Sequence, residues 1–267
     1  MNKVMTAFAL WATMALSASV AVAGGCSLEI SPLTLEVQVE PGRAHTGTVE
    51  IKNAGSETEH VRTYCQDWTL KPDGLAVFLD AGKLPNSASP WLMLSPTGFD
   101  LAPGDSAQVR YTIRPPVDAA GEFHTVIIFE GGAQQVTLHG APSRIVPRLG
   151  TVLYVQCGPP AQPQARITQF AVSPEGGLLI VENTGSGHLR FTGKLEIRQS
   201  GQVVRSADLA GFVVLPAPFN QHHANIAKET FADLAPGEYE VIAMLDCGGP
   251  SLLGARTSLA APPAKAK

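Results

Sequence analysis

Charge is scarce in this chain. Only 16% of its residues are Asp, Glu, Lys or Arg, the formal net charge is −4, and nowhere do Lys and Arg cluster. The electrostatic footprint of a nucleic-acid binder is therefore missing, and nucleic acid is not expected as a partner. Aromatics make up 6%. Trp68 and Trp91 stand apart from one another, which suits core or sheet-covering residues better than a carbohydrate platform. Beyond the first 23 residues no apolar run approaches the roughly 20 residues that span a bilayer, and no helical period persists beyond two turns. The familiar catalytic signatures are absent too. There is no G-x-S-x-G, no H-E-x-x-H, no P-loop, no C-x-x-C and no dinucleotide fingerprint. No catalytic residue, metal, cofactor or small-molecule substrate is expected, and an enzyme is the least supported reading. His222-His223 is the most tempting pair, but adjacent side chains of an extended strand point to opposite faces. Loop polarity explains them unless the chain bends there to make a metal site.

What the chain does have is punctuation. Gly and Pro together supply 47 of 267 residues, set between short apolar runs, the composition of a turn-rich all-β protein. Residues 1–23 read as a cleaved signal peptide. Lys3 is the positive end, Phe8 to Val20 the apolar stretch, and Ala21-Val22-Ala23 a small-x-small cleavage site. The mature chain is then exported, with the periplasm as its expected location. Four cysteines follow, Cys26, Cys65, Cys157 and Cys247, and an even count in an oxidising compartment suggests bridges. Three connectivities are possible. One bridge per half, Cys26–Cys65 and Cys157–Cys247, fits two independently folding cores. Lipidation at Cys26, after Ala23-Gly24-Gly25, is the rival use of that residue.

Two sequence marks recur. Val49-Glu50-Ile51-Lys52-Asn53-Ala54-Gly55-Ser56 returns in form as Leu179-Ile180-Val181-Glu182-Asn183-Thr184-Gly185-Ser186, with the asparagines 130 apart. Leu101-Ala102-Pro103-Gly104-Asp105 returns as Leu234-Ala235-Pro236-Gly237-Glu238, 133 apart. Near-equal offsets argue for two similar domains in tandem. Leu33, Leu35, Val37 and Val39 alternate with polar residues, as do Val109, Tyr111 and Ile113, the period of half-buried strands. Phe123 to Phe129 and Tyr239 to Leu245 read as buried strands, and Gln199-Ser200-Gly201-Gln202 as a hairpin turn. About seven short strands per half is the pattern of an immunoglobulin-like sandwich. The expected architecture is two tandem immunoglobulin-like β-sandwiches after the signal peptide. Residues 24–157 form the first, 158–163 a linker, 164–260 the second and 261–267 a disordered tail.

The first half resembles a known family. Ser89-Pro90-Trp91-Leu92-Met93-Leu94-Ser95-Pro96, then Phe99-Asp100-Leu101-Ala102-Pro103-Gly104, resembles a stretch of the periplasmic chaperones of the chaperone–usher pilus pathway. Val109 to Ile113, Gly121 to Glu130, and Arg148 to Val155 are similar to the strands that follow in that family. The resemblance covers about residues 28 to 157, and the tandem architecture covers the rest.

That resemblance implies a non-enzymatic chaperone that lends an edge strand to an exported pilin-like or coat subunit, with an outer-membrane usher as a further partner. Ser143 to Gln156 is the expected donor, with Ile145, Leu149 and Leu153 as inserted side chains. Pro147 has no N–H and belongs at an edge or bulge, where it serves a donor strand or blunts an unused one. The family holds its client's terminal carboxylate with an Arg and a Lys. Thr34 and Thr151 stand at those places here, and two hydroxyls make no charge-assisted bonds. Arg144 or Arg148 is the alternative anchor if the register differs, and Ala102 and Val155 occupy the places of the family's interdomain charge pair. A structural or adhesive envelope protein built on the same modules is the competing reading, since fold does not settle function.

Overall fold

The computed structural model describes residues 28–138 and 141–261. The expected signal peptide, Cys26, His139 and residues 262–267 lie outside them. Residue 261, assigned above to the tail, closes the last strand. Among the described residues there is no α-helix, only two short 3-10 turns, Ser89–Trp91 and Lys228–Phe231.

The first half supplies β1 (Leu28–Ser31), β2 (Thr34–Val39), β3 (His45–Asn53), β4 (Glu59–Leu70), β5 (Ala76–Leu79) and β6 (Leu92–Ser95). After these come β7 (Gly98–Leu101), β8 (Ser106–Ile113), β9 (Gly121–Glu130), β10 (Gln134–Leu138), β11 (Ala141–Ile145) and β12 (Arg148–Cys157). One sheet runs β1-β3-β8-β6 and the opposing sheet β2-β12-β9-β4-β5, with β7 beside β4. The strands β10 and β11 pair only with each other, as a hairpin between β9 and β12. Alternation places Val49, Ile51, Val109, Ile113, Phe129 and Leu153 between the two sheets, all essentially buried.

The second half supplies β13 (Ala165–Ser173), β14 (Gly176–Asn183), β15 (Leu189–Gln199), β16 (Gln202–Val214), β17 (Gln221–Ile226), β18 (Gly237–Asp246) and β19 (Leu253–Ala261). A β13-β14-β17 sheet packs on a β16-β15-β18-β19 sheet over a core that includes Leu179, Val181, Phe191 and Val241. The expected hairpin is present: Ser200 and Gly201 both take positive φ between β15 and β16.

The first repeated mark has a common physical cause. Asn53 is fully buried; its side-chain amide donates to the carbonyls of Glu57 and Leu101, and its oxygen accepts from Gly55 N–H. Asn183 does the same with Gly187, Val214 and Gly185. Each asparagine pins the end of its strand, β3 or β14, to the loop that follows it and to the last residue of a strand in the opposite sheet, Leu101 of β7 or Val214 of β16. The second mark is not equivalent. Leu101 to Asp105 precedes β8, which shares a sheet with β3, whereas Leu234 to Glu238 leads into β18, in the sheet opposite β14. The true counterpart of Gly237-Glu238-Tyr239 is Gly121-Glu122-Phe123, which opens β9; both glycines take positive φ. The Tyr239 hydroxyl donates back to Ala235 O at 2.7 Å, closing the corner that immunoglobulin-like strands often use there.

The expected bridge between Cys157 and Cys247 is not formed. Cys65, Cys157 and Cys247 are free thiols; Cys157 is buried in the first core, while Cys247 packs against the second. Each side chain belongs to a different sandwich, so assigning one bridge to each half fails at the boundary residue.

Candidate functional site

The first strand changes sheets. β1 pairs with β3, and after Pro32 and Leu33 the chain crosses to pair β2 with β12 in parallel, Thr34 opposite Val152 through Val39 opposite Cys157. On its other side β12 pairs with β9 along its whole length. Residues 152–157 are therefore hydrogen-bonded on both sides, and Leu153 is fully buried in the sandwich's own core. It is not available to another chain, which corrects the expectation for Leu153 and for a donor running to Gln156.

The other end of β12 differs. The Val152 N–H donates to Leu33 O at 3.0 Å, and the Thr151 hydroxyl donates to Pro32 O at 2.9 Å. Those bonds close the crossover. N-terminal to them, Arg148 to Gly150 have no strand on that side among the described residues. Backbone groups alternate in direction along a strand. Because the Val152 amide points toward β2, those of Gly150 and Arg148 point the same way, away from β9. Pro147 O instead accepts from Gly131 N–H, on the β9 side. The outer side of β11 is likewise unpaired, and Ile145 and Val146 are 38% and 44% exposed. Leu149 is only partly exposed and packs against the first core.

The candidate anchors do not converge. Thr34 is exposed and lines a cleft between the sandwiches, whereas Thr151 is buried between the sheets. Arg148 Nε donates to Glu130 at 2.7 Å, and the Tyr64 hydroxyl donates to the same carboxylate at 2.8 Å. Those two bonds, Tyr64's first, hold the Glu130 carboxyl below the usual range. Arg144 sits on the exposed hairpin, across from Gln135.

Sequence reasoning missed the junction between the sandwiches. Trp68, Val126, Ile128 and Tyr154, on the outer face of the six-stranded sheet, pack with the fully buried Leu215 of the second half. Beside them lies the cleft, about 680 Å³, which Thr34, Trp68, Tyr154, Arg190, Phe212 and His222 help to line. Arg190 pairs with Glu36, and its guanidinium lies 5.7 Å from the Tyr154 ring centre. His188 bonds to Glu122 at 2.7 Å. Charged contacts between the halves thus exist, from positions other than Ala102 and Val155. No local motif announces them, because each partner lies more than 60 residues from the other. His222 stacks on Phe212 at 4.2 Å, and burial, then His223, push its imidazole below the usual value. No group of three or more His, Cys, Asp or Glu suited to a metal occurs among the described residues.

No family model matches the chain, and no curated protein matches its sequence. Solved structures do. The class 5 fimbriae chaperone CfaA shares 14% identity over 86% of this chain and 98% of its own, with a TM-score of 0.49. In the CsuC–CsuE chaperone–tip adhesion subunit complex from the archaic chaperone–usher Csu pili of Acinetobacter baumannii, the figures are 13%, 88%, 98% and 0.48. The Salmonella enterica SafA pilin in complex with the SafB chaperone gives 13%, 88%, 98% and 0.46. Each of these three structures holds a chaperone of fimbriae or pili. The likeness is one of architecture, at low identity.

Proposed function

We propose that this protein is a periplasmic chaperone-like protein that binds an exported pilin-like or surface subunit by adding a strand to its open edge. The observation that carries the reading is the half-paired state of β12: complete on both sides from Val152 onward, open on one side from Arg148 to Gly150. A client strand laid there would satisfy the outward amides and carbonyls of Arg148 and Gly150 and extend along the outer side of β11. Ile145 and Val146 supply apolar side chains that gain from burial, about 25 cal/mol per Å² removed from water. An open edge with exposed apolar residues is a liability unless it is used. The usable donor is thus shorter than residues 143–156, with Ile145 and Val146 as its contacts and Leu149 as part of the scaffold.

The anchoring chemistry differs from that of the family resembled in the sequence. Thr34 and Thr151 face apart, Arg148 is engaged by Glu130, and Arg190 by Glu36. Client binding should therefore depend on the strand and its apolar contacts rather than on a terminal carboxylate. The test is isolation of tagged protein from the periplasm, comparing wild type with an Ile145→Asp, Val146→Asp double variant. A stoichiometric subunit held by the wild type and lost from the equally stable variant supports the reading. An empty wild-type protein, or a subunit retained by the variant, favours an envelope protein whose edge Pro147 merely blunts.

A further inference from the structure

The half-paired end of β12 carries a charge pattern. Arg62 of β4, Glu130 of β9 and Arg148 of β12 stand directly opposite one another in register, so their side chains share one face of the sheet. The row reads positive, negative, positive. Its next place is the side of Arg148 on which no strand pairs among the described residues. Glu130 sits in the middle, and its Oε2 accepts from both Tyr64 and Arg148. Those two bonds fix the carboxylate, and the carboxylate in turn fixes the guanidinium.

That bond does not exhaust Arg148. A guanidinium has five N–H donors, and among the described residues only its Nε makes a hydrogen bond. Its side chain remains 57% exposed. The surrounding sequence has the same sign. From Gly131 to Gln156 there is no Asp or Glu, while Arg144 and Arg148 both fall there, in a chain whose formal net charge is −4. The edge is a positive stretch of a protein that is negative as a whole.

A strand laid beside Arg148 to Gly150 places one residue directly opposite Arg148, on the same face and with Cβ atoms about 5 Å away. Asp or Glu at that place reaches the remaining guanidinium donors and continues the alternation. Lys or Arg there meets a like charge. A neutral residue gains nothing from the row.

We infer that this edge selects a client strand carrying an acidic side chain, Asp or Glu, opposite Arg148. The inference rests on strand addition at this edge and adds which strand is taken. The carboxylate belongs to a side chain within the strand, not to its terminus. Because the pair lies at the surface, the preference is modest and weakens with salt.

The test is NMR titration of the full-length mature protein with short peptides of alternating Val and Thr, acetylated and amidated at their ends. One Thr, at the centre, is replaced by Glu, Gln or Lys, so each peptide has at most one charge. The backbone amides of Arg148 and Gly150 report whether a strand adds at the edge. All three peptides should shift them, with Glu bound about two- to fivefold tighter than Gln and Lys bound weakest. The order should fade in about 1 M salt, where the screening length is about 3 Å. R148Q should remove the order, and R148E should invert it. Equal affinities for the three peptides, or an order that R148E leaves unchanged, overturn the inference and leave strand addition standing. If no peptide shifts the Arg148 and Gly150 amides, strand addition at this edge fails, and the inference falls with it.

Discussion

The two ends of β12 are one strand with two fates. From Val152 to Cys157 both sides are paired, and Leu153, Val155 and Cys157 are fully buried. From Arg148 to Gly150 no strand pairs on one side among the described residues, and the chain just before it presents Ile145 and Val146 to water. The cause lies elsewhere, in a first strand that leaves for the other sheet at Pro32. The completed end builds the sandwich. The open end is the one proposed to receive a client strand. A single strand can thus serve stability and recognition only if the division between them is sharp, and Thr151, bonded to Pro32 O, marks it.

Substitutions along the strand test that division. The largest effect is expected from Leu153→Asp, which strands a charge in the core, and the first sandwich should fail to fold. Leu153→Ala should cost about 2–5 kcal/mol in urea unfolding. At the open end, Ile145→Asp should change stability by no more than about 0.5 kcal/mol while reducing client recovery. Leu149→Ala should fall between, since its side chain touches the core without being enclosed. If Ile145→Asp were as destabilising as Leu153→Ala, the two ends would not differ as described.

A second comparison is between the sandwiches. Asn53→Ala and Asn183→Ala each remove three hydrogen bonds at a buried site, and each should cost about 2–4 kcal/mol. Similar losses in calorimetry would support the common pin; a neutral result at either would separate the two halves.

The next effect is smaller and reads the junction. His124 is neutral in the fold, its Nε2 donating to Trp68 O at 2.9 Å, and burial is the main cause of its lowered proton affinity. The unfolded chain takes the proton first, at the ordinary value of 6.5. Stability is therefore full above that pH and falls as the pH drops below it. His222 acts in the same direction, again chiefly through burial. Urea midpoints should fall in acid for the wild type and less steeply for His124→Gln. An equal slope would remove His124 from the account.

The smallest effect is expected at the client's terminus. Amidating a client peptide's carboxylate should reduce affinity less than about threefold, under 1 kcal/mol, because Thr34 and Thr151 are neutral and Arg148 is paired with Glu130. A large penalty abolished by Arg148→Ala would show that the Glu130 ion pair gives way to an anchor.

How much of this was legible in the sequence follows from range. Alternation such as Val109-Arg110-Tyr111-Thr112-Ile113 and the Asn-x-Gly-Ser turns are local, and both proved structural. The architecture of two sandwiches followed from them. Leu153 and Leu149 looked alike because both sit on the same face of one strand; only the crossing of β2, more than 100 residues earlier, separates them. The Leu-Ala-Pro-Gly repeat misled because a turn signal names a strand's start, not its sheet. Cys157 was assigned to a bridge by its place in the chain, whereas its side chain is set by the alternation of β12. His188 carried no signal, since Glu122, to which it bonds, lies 66 residues earlier in the chain.

The most direct measurement of the division in β12 is amide hydrogen exchange, with and without the subunit recovered from the periplasm. The amides of Arg148 and Gly150 should exchange rapidly in the free protein and become protected in the complex. Those of Leu153 and Val155 should be protected in both. A complex in which Arg148 and Gly150 stay as exposed as before would place the client elsewhere and contradict strand addition at this edge.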